Sequence, residues 1–325
     1  MRLFVFGVLS LLLFSCSKQK APTIIKSNSQ SSIAFLYCIK FDDGFVVTTE
    51  NNELYFLNSN FEIDTDLTQK IKPGIPPRFF AIHKGKLLMY DNREEKDGPY
   101  MLTSTKEWVV VTDKDFSDVF YEDEDYIVSS QCKGEFGGTI FFEHKKTKKI
   151  YSCVASCLTS VNKLNNVYYL TSALGHLGAS SKILEIKDPT ALIEVKKGTP
   201  IKNNWWINKG LTHDDLLKGT EKIIDTFGLL IHDAFIIKNK LYYLNETEIS
   251  NSSYGMSMGN VLLSVVKDRK LITVDTIHTG STALGTLQKT NKYSFYLFNY
   301  SNKKVFITRS KDTIDVVALN IKKEL

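Results

Sequence analysis

Two adjacent tryptophans, Trp205 and Trp206, form the most unusual local feature of the 325-residue sequence. Indole rings are large, flat and amphipathic, so a pair of them on an exposed loop can stack on a sugar ring or on a partner protein. The alternative is that one indole packs its own segment onto the rest of the fold. We treat Trp205 and Trp206 as candidate ligand-binding residues.

Two glycine-bracketed segments supply further candidates. His176 lies in the segment Gly175–Gly178, and Tyr254 begins the segment Tyr254–Gly259. Glycine permits tight turns and lets a ligand approach the backbone closely. Neither segment precedes a helix in a βαβ unit, so phosphate binding is disfavoured. We assign His176 and Tyr254 as candidate ligand-binding residues in loops.

Other polar clusters carry weaker signals. His213–Asp215 and His232–Asp233 contain residue types used for metal binding or proton transfer, but adjacent residues on a helix diverge by about 100° and do not converge. We interpret these clusters as a helix start and a turn. The acidic run Glu122–Asp125 lacks the glycine and alternating spacing of a calcium loop, which favours a solvated loop. The sequence therefore predicts no metal site and no cofactor.

Recognisable catalytic motifs are missing from the sequence. It contains no Gly-x-Ser-x-Gly elbow and no His-Glu-x-x-His pair. An active site can still assemble from dispersed loops without a local motif. We assign no catalytic residue, and a non-enzymatic role is favoured over an enzymatic one.

The elements that would position these residues recur along the chain. Each copy is a short polar turn followed by four or five apolar, aromatic-rich residues. The clear copies are Glu53–Asn58, Lys86–Asp91, Asn166–Thr171 and Lys240–Asn245, and the looser copies are Thr139–Glu143 and Ser294–Asn299. Continuous apolar runs of this length predict strands that are buried on both faces.

A second recurring element is a hairpin with Lys-Asp at or near its turn. The turns contain Asp188, Asp268 and Asp312, and the last two are separated by 44 residues. Periods of about 40 to 50 residues with several strands per unit are typical of β-propellers. The six copies of the first element therefore predict an all-β chain, a propeller of six four-stranded blades over 33–325. Five or seven blades, or a pair of sandwiches, are the alternatives.

An apparent insertion at about 198–227 interrupts the repeats. It is the one stretch that reads as helical: Thr212 can cap a helix, and the apolar residues Leu216, Leu217, Ile223, Ile224 and Phe227 recur at helical spacing. In the predicted ring, the loops with His176 and Tyr254 take equivalent positions in their blades. Six such loops at one face could build a ligand site.

The N-terminal segment reads as an export signal. Residues Leu3–Phe14 are apolar or small and follow a single Arg2. Twelve residues reach only about 18 Å as a helix, less than the roughly 30 Å of a hydrocarbon core. A charged start, a short apolar stretch and a small residue are typical of a secretory signal.

The end of that stretch, Leu13-Phe14-Ser15-Cys16, resembles the lipobox of bacterial lipoproteins. The resemblance implies lipid attachment to the Cys16 thiol and cleavage after Ser15. Residues 1–15 would be the signal peptide and 16–32 a flexible polar tether. Ser17 replaces the aspartate that retains such proteins in the inner membrane, which favours the outer membrane. An ordinary signal peptide with a chance cysteine is the alternative.

Four cysteines remain after Cys16. An exported compartment permits disulfides, and Cys132 could pair with Cys153 or with Cys157. The sequence leaves the pairing of Cys38 open. One Cys-x3-Cys spacing without a second close pair is a weak zinc signal, so free or disulfide-bonded thiols are expected.

Charge and composition limit the classes of partner that we expect the protein to bind. The net charge is +5, with positive and negative residues interspersed, which does not produce the basic patch of a nucleic-acid-binding protein. The repeats that predict a six-bladed propeller, together with the anchor, resemble those of the propeller lipoproteins of Gram-negative envelopes. The expected function is binding or scaffolding of an envelope protein, peptide or glycan at a membrane. A glycan- or polymer-active enzyme and an immunity or inhibitor lipoprotein are the alternatives.

Overall fold

The computed structural model describes residues 21–74, 77–83, 86–91, 99–111, 119–132, 134, 137–175, 179–196, 211–212, 214–252, 255–280, 283–289, 293–299 and 303–321. Over these residues the chain is almost entirely β-sheet. Six small sheets of three to five strands form the blades of a propeller ring. The predicted fold class and the predicted blade number are therefore confirmed.

The first strand along the chain, β1 (Thr23–Ser31), belongs to the last blade. Blade 1 contains β2 (Tyr37–Phe41), β3 (Gly44–Thr48) and β4 (Leu54–Leu57). Blade 2 contains β5 (Pro77–His83), β6 (Lys86–Asp91), β7 (Tyr100–Leu102) and β8 (Trp108–Val110). Blade 3 contains β9 (Val119–Glu122), β10 (Tyr126–Cys132), β11 (Gly138–His144), β12 (Ile150–Val154) and the later strand β16 (Ile193–Val195).

The second half of the ring is more regular. Blade 4 contains β13 (Leu158–Leu164), β14 (Val167–Leu174), β15 (Ser180–Ile186) and β17 (Glu221–Phe227). Blade 5 contains β18 (Leu229–Ile237), β19 (Lys240–Ser252), β20 (Gly255–Lys267) and β21 (Lys270–His278). Blade 6 contains β22 (Ala283–Lys289), β23 (Ser294–Asn299), β24 (Lys303–Ser310), β25 (Thr313–Ile321) and β1.

All six predicted apolar runs lie in strands, and β23 shows why they lack alternation. Its side chains point alternately to the two neighbouring blades. Phe295 and Leu297 pack with Phe45 of blade 1, whereas Tyr296 and Phe298 pack against blade 5. Both faces of the strand are therefore buried, and every position is apolar or aromatic.

Among the described residues, apolar clusters join five of the six pairs of neighbouring blades. Separate clusters join blade 1 to blade 2, blade 3 to blade 4, blade 4 to blade 5, blade 5 to blade 6, and blade 6 back to blade 1. The first strands of several blades contact each other directly, for example β13 with β18 and β2 with β22. The first strand of each blade therefore lines the axis.

The predicted flexible tether over 16–32 needs a correction, because strand β1 occupies Thr23–Ser31. It pairs in parallel with β25 along its whole length. A polar sequence suits this place because the pairing uses backbone groups, and an outermost strand leaves side chains in water. Two residues of β1 are exceptions: Ile24 packs against the cluster between blades 5 and 6, and Ser31 at the end of the strand is buried.

The predicted hairpin at Asp188 is also wrong. Pro189–Ala191 forms a 3-10 turn that Asp188 caps by accepting a hydrogen bond from the backbone N–H of Thr190 at 2.9 Å. Proline has no N–H for a strand ladder, so the chain leaves blade 4 here. The following strand β16 pairs instead with β12 of blade 3.

The helix predicted within 198–227 is mostly absent from the described part of that range. Asp215–Leu217 form one 3-10 turn, and Gly219 then adopts a φ of +78°, a left-handed conformation that ends helices. Ile223, Ile224 and Phe227 lie in β17, which fills the fourth position of blade 4.

A helix that the sequence analysis missed, α1 (Thr65–Ile71), joins blades 1 and 2. Asp64 caps it by accepting a hydrogen bond from the backbone N–H of Leu67 at 2.9 Å. Ile71 is buried between the two blades, and its carbonyl accepts a hydrogen bond from the indole of Trp108. No helix among the described residues has the length and hydropathy to cross a bilayer.

Candidate functional site at the propeller axis

A repeated β-bulge marks the first strands of five blades. In β5, β9, β13, β18 and β22, one extra residue interrupts the pairing with the second strand. These bulged residues are Arg78, Phe120, Thr159, His232 and Gly285. Bulges change the direction of a side chain and are frequent beside functional sites. The axial end of these strands is therefore the first place to look for chemistry.

Asp233, next to the bulge of β18, is the centre of an axial cluster. Its Oδ1 forms an ion pair with Nζ of Lys289 on β22, and its Oδ2 accepts a hydrogen bond from the hydroxyl of Tyr296 on β23. The Lys289 ammonium also donates to the backbone carbonyl of Thr159 on β13. It lies 5.8 Å from the ring centroid of Phe120 on β9. One lysine thus contacts blades 3, 4 and 5 from blade 6.

Burial decides what this axial cluster (Asp233, Lys289 and Tyr296) can do. The Asp233 side chain is 3% exposed and that of Lys289 is 30% exposed. Burial, followed by the nearby Asp233 charge, raises the pKa of Tyr296 well above its ordinary value, so its hydroxyl stays protonated and donates. Both carboxylate oxygens of Asp233 are occupied. The cluster therefore ties neighbouring blades together.

A second buried pair lies beside it, between blades 5 and 6. Nε2 of the bulged His232 is 2.6 Å from Oε2 of Glu246 on β19, and the two side chains are 7% and 1% exposed. The imidazole meets the ring of Phe298 edge-on at 5.5 Å. Oε1 of Glu246 has no hydrogen-bond partner among the described residues. An unpaired buried carboxylate oxygen is unusual. Three other buried side-chain atoms share this lack among the described residues: Thr171 Oγ1, Asn245 Oδ1 and Arg309 Nε.

Further polar side chains connect blade 6 to blade 1 and blade 4 to blade 5. Gln288 on β22 accepts from the backbone N–H of Lys40 on β2 at 2.9 Å and donates to its carbonyl at 2.8 Å. Between blades 4 and 5, Asn162 donates to the Ala234 carbonyl at 2.9 Å, and the Ser160 hydroxyl accepts from the Ala234 N–H at 3.1 Å. Inner strands have unpaired backbone groups at the axis, and these side chains satisfy some of them.

The ligand-binding residues predicted from the sequence lie outside the described residues. Trp205 and Trp206 fall in the connection between β16 and β17, His176 between β14 and β15, and Tyr254 between β19 and β20. The proposed lipidation site Cys16 also lies outside them. These assignments stay predictions.

His232–Asp233, which the sequence analysis interprets as a turn, is in the middle of the buried strand β18. The sequence contains a signal of this burial, because His232 and Asp233 interrupt the apolar run Leu229–Ile237. Polar groups buried at such positions need partners. Glu246, Lys289 and Tyr296 were missed because they come from other strands.

The acidic run Glu122–Asp125 forms the turn between β9 and β10 and the residues beside it. Asp123 Oδ1 accepts from the N–H groups of Asp125 and Tyr126 at 2.8 Å, and Oδ2 accepts from Tyr168 at 2.6 Å. Burial opposes ionisation of Asp123, but the hydrogen bonds outweigh it and lower its pKa. No group of three or more metal-ligand residues occurs among the described residues.

Cysteine pairing is resolved by the fold. Cys132 and Cys157 form a disulfide with 4.6 Å between their Cα atoms. It joins the end of β10 to the segment that leads into blade 4. Cys153 and Cys38 are free thiols in the apolar core.

No protein-family model and no curated protein matches the chain. Among solved structures, it is similar to a Synechocystis apocarotenoid oxygenase at 10% identity, with 87% of this chain and 68% of that one covered and a TM-score of 0.31. It is similar to a putative exported protein from Bacteroides fragilis at 8% identity, with 92% and 80% covered and a TM-score of 0.29. It spans about half (49%) of a prolyl endopeptidase chain, with 87% of this chain covered, at 12% identity and a TM-score of 0.31. Likeness at this level does not extend to a substrate or an activity.

Proposed function

We propose that this chain is an envelope lipoprotein whose propeller binds or scaffolds a protein, peptide or glycan at a membrane. The observation that supports the binding role is that the polar groups at the axis pair with one another. Asp233 has a partner on each oxygen, Lys289 contacts three other blades, and Tyr296 is held protonated. A cluster that locks blades together suits a rigid platform better than a reaction centre.

Two features support the anchor. The apolar stretch Leu3–Phe14 and the lipobox-like Leu13–Cys16 are typical of exported lipoproteins. The disulfide Cys132–Cys157 is the kind of bond that persists in an oxidising compartment outside the cytoplasm. Ser17 favours the outer membrane over the inner one. The anchor would end seven residues before β1, so at most about 25 Å of chain separates the lipid from the ring.

Membrane fractionation of a Cys16→Ser variant tests the anchor. The wild-type chain should stay with membranes after a wash in about 1 M salt, where the screening length falls to about 3 Å. The Cys16→Ser variant should be released by the same wash, and mass spectrometry should find acyl chains only on wild type. Retention of the variant after the salt wash would contradict lipid anchoring.

Crosslinking in native membranes tests the binding role. We expect the ligand to contact the loops that carry His176 and Tyr254 and the segment with Trp205 and Trp206. A reproducible crosslinked partner, lost in a Trp205→Ala/Trp206→Ala variant with unchanged unfolding, supports the proposal. Absence of any reproducible partner, together with no retention on glycan arrays, contradicts it.

A glycan- or polymer-active enzyme is the second candidate, and the His232–Glu246 pair favours it. An imidazole and a carboxylate 2.6 Å apart, with one oxygen unused, are residue types that transfer protons. Incubation of wild type and Glu246→Gln with envelope polysaccharides separates the candidates. New reducing or unsaturated ends produced by wild type alone would replace the binding proposal with catalysis.

A further inference from the structure

The N-terminal strand begins at one particular face of the ring. We call it the turn face: it contains the turns between first and second strands and between third and fourth strands of each blade. The N–H of Thr23, the first residue of β1, donates to the carbonyl of Asp312 in the β24–β25 turn at 3.1 Å. The preceding chain, which leads to Cys16, therefore leaves from the turn face at blade 6.

Exposed basic side chains are concentrated on the same part of the turn face. We call them the basic sector, and they belong to turns of blades 5 and 6: Lys238, Lys240, Lys267, Arg269, Lys270 and Lys311. The same turns contain only two carboxylates, Asp268 and Asp312, which leaves an excess of four positive charges. Lys238 Nζ lies 3.7 Å from Asp312 Oδ2, so the turns of the two blades adjoin.

Most charges of the basic sector are not neutralised. Arg269 pairs with Glu221, but Lys240, Lys267, Lys270 and Lys311 have no carboxylate within 4.0 Å among the described residues. An unpaired ammonium in water remains available to an anionic surface.

Blade 3, on the opposite side of the ring, shows the contrasting arrangement. Its lysine-rich β11–β12 turn is matched by carboxylates: Lys145 pairs with Glu122 at 2.5 Å and Lys149 pairs with Glu194 at 3.1 Å. The acidic run Glu122–Asp125 lies on the same turn face. The turn face is thus positive where the N-terminal chain leaves and balanced at the far side.

We propose that the basic sector binds anionic phospholipid head groups and holds the turn face of blades 5 and 6 against the membrane. This inference rests on the proposed lipid anchor, which brings the sector within about 25 Å of the bilayer. Each basic side chain near an anionic surface strengthens binding by about fivefold. Because several such residues lie on one side of the lipid-anchored ring, they hold the ring in one orientation relative to the membrane. The opposite face, at which β14 and β19 end, then points away from the lipid.

Vesicle co-sedimentation tests the sector without the anchor. The mature chain carrying Cys16→Ser is mixed with vesicles of phosphatidylglycerol and phosphatidylcholine, or of phosphatidylcholine alone. We expect binding to the mixed vesicles only, and its loss at about 0.5 M salt because head-group attraction is screened. Since Cys16 is absent, the result does not depend on whether lipidation occurs in the cell.

Two variants with equal charge change locate the binding. Lys240→Gln/Lys267→Gln/Lys270→Gln removes three charges from the basic sector, and Lys145→Gln/Lys148→Gln/Lys149→Gln removes three from blade 3. The first should weaken binding to mixed vesicles by about 100-fold, and the second by less than about threefold. Equal weakening by both variants, or binding that does not depend on phosphatidylglycerol, overturns the proposal. No binding to either kind of vesicle also overturns it and would indicate an acidic protein as the occupant.

Discussion

Lys289 on blade 6 forms an ion pair with the buried Asp233 on blade 5. The same ammonium donates to the Thr159 carbonyl on blade 4, and Tyr296 donates to the second oxygen of Asp233. Desolvating an aspartate is costly, and only a complete set of partners offsets that cost. The axial cluster therefore makes the positions of three blades depend on one another.

Removing one member of this ion pair should destabilise the whole ring. Lys289→Met leaves the Asp233 carboxylate buried without its cation, so we expect a loss of about 3 kcal/mol in the free energy of unfolding. Denaturant titration measures it, with Lys303→Met at an exposed site as the control within about 0.5 kcal/mol. In a double-mutant cycle with Asp233→Asn, the two losses should not add. Additive losses would mean that the two side chains do not interact.

The role of β1 can be tested with two adjacent residues. Ile24 packs against the cluster between blades 5 and 6, whereas Ile25 is 51% exposed. Ile24→Asn should lower the free energy of unfolding by about 1 kcal/mol, since Ile24 is only partly buried. Ile25→Asn should change it by less than about 0.5 kcal/mol. If both substitutions are neutral, the segment is a free tether and the strand pairing is wrong.

The disulfide should contribute measurably to stability. Cys132 and Cys157 are 25 residues apart, and closing a loop of that size stabilises a fold by about 3 kcal/mol. Cys132→Ser, Cys157→Ser and the double variant should all show the same loss, because each removes the same bond. Peptide mapping without reductant should recover Cys132 linked to Cys157. A peptide that links Cys132 to Cys153 would contradict the structure.

The two free thiols should resist alkylation in the folded protein. Burial raises the pKa of Cys153 to about 12, and burial raises the pKa of Cys38 well above its ordinary value. At about pH 9, where an exposed thiol is largely ionised, iodoacetamide should modify neither residue until denaturant is added. Mass spectrometry counts the modified thiols. Rapid labelling of Cys153 in the native state would show that blade 3 opens readily.

Asp123 should contribute to acid sensitivity. Its pKa in the folded state is lowered because the hydrogen bonds from Tyr168, two backbone N–H groups and Lys163 outweigh burial. This contribution to stability is fully present above the unfolded value of about 3.9 and is lost as the pH falls through the lower folded value.

Asp123→Asn should therefore be less stable than wild type at neutral pH and should lose less stability between about pH 4 and pH 2. The matched variant Asp125→Asn, at a half-exposed site, should keep the wild-type slope. Unfolding followed at several pH values gives both slopes. Equal slopes for wild type and Asp123→Asn would assign the acid sensitivity to other groups.

Local sequence was sufficient to predict the strands whose own residues indicate how they are buried. The run Ser294–Asn299 has apolar side chains at nearly every position, which only a strand buried on both faces can accommodate. The turns at Asp268 and Asp312 follow from residues with positive φ, which are Asp268 and Arg269 in the first hairpin and Lys311 in the second. These signals recur at a period that only a ring of small sheets explains.

Local sequence was insufficient wherever a partner comes from a distant part of the chain. The polar strand β1 gains its place from backbone pairing with β25, almost 300 residues later, which no side-chain pattern reveals. Strand β16 joins blade 3 rather than blade 4 for the same reason. The insertion was misread because Ile223 and Ile224 fit a helix as well as a strand until β15 supplies the ladder.

The sequence by itself determined that the chain is all-β, favoured a propeller of six blades and indicated an export signal, because each of these depends on residues close together in the chain. Only the tertiary structure decided that His232 and Asp233 are buried at the axis, that Cys132 pairs with Cys157, and that the basic turns adjoin the start of β1. The physical reason is that charge pairing, disulfide geometry and surface potential depend on distances in space, and the ring closure sets those distances.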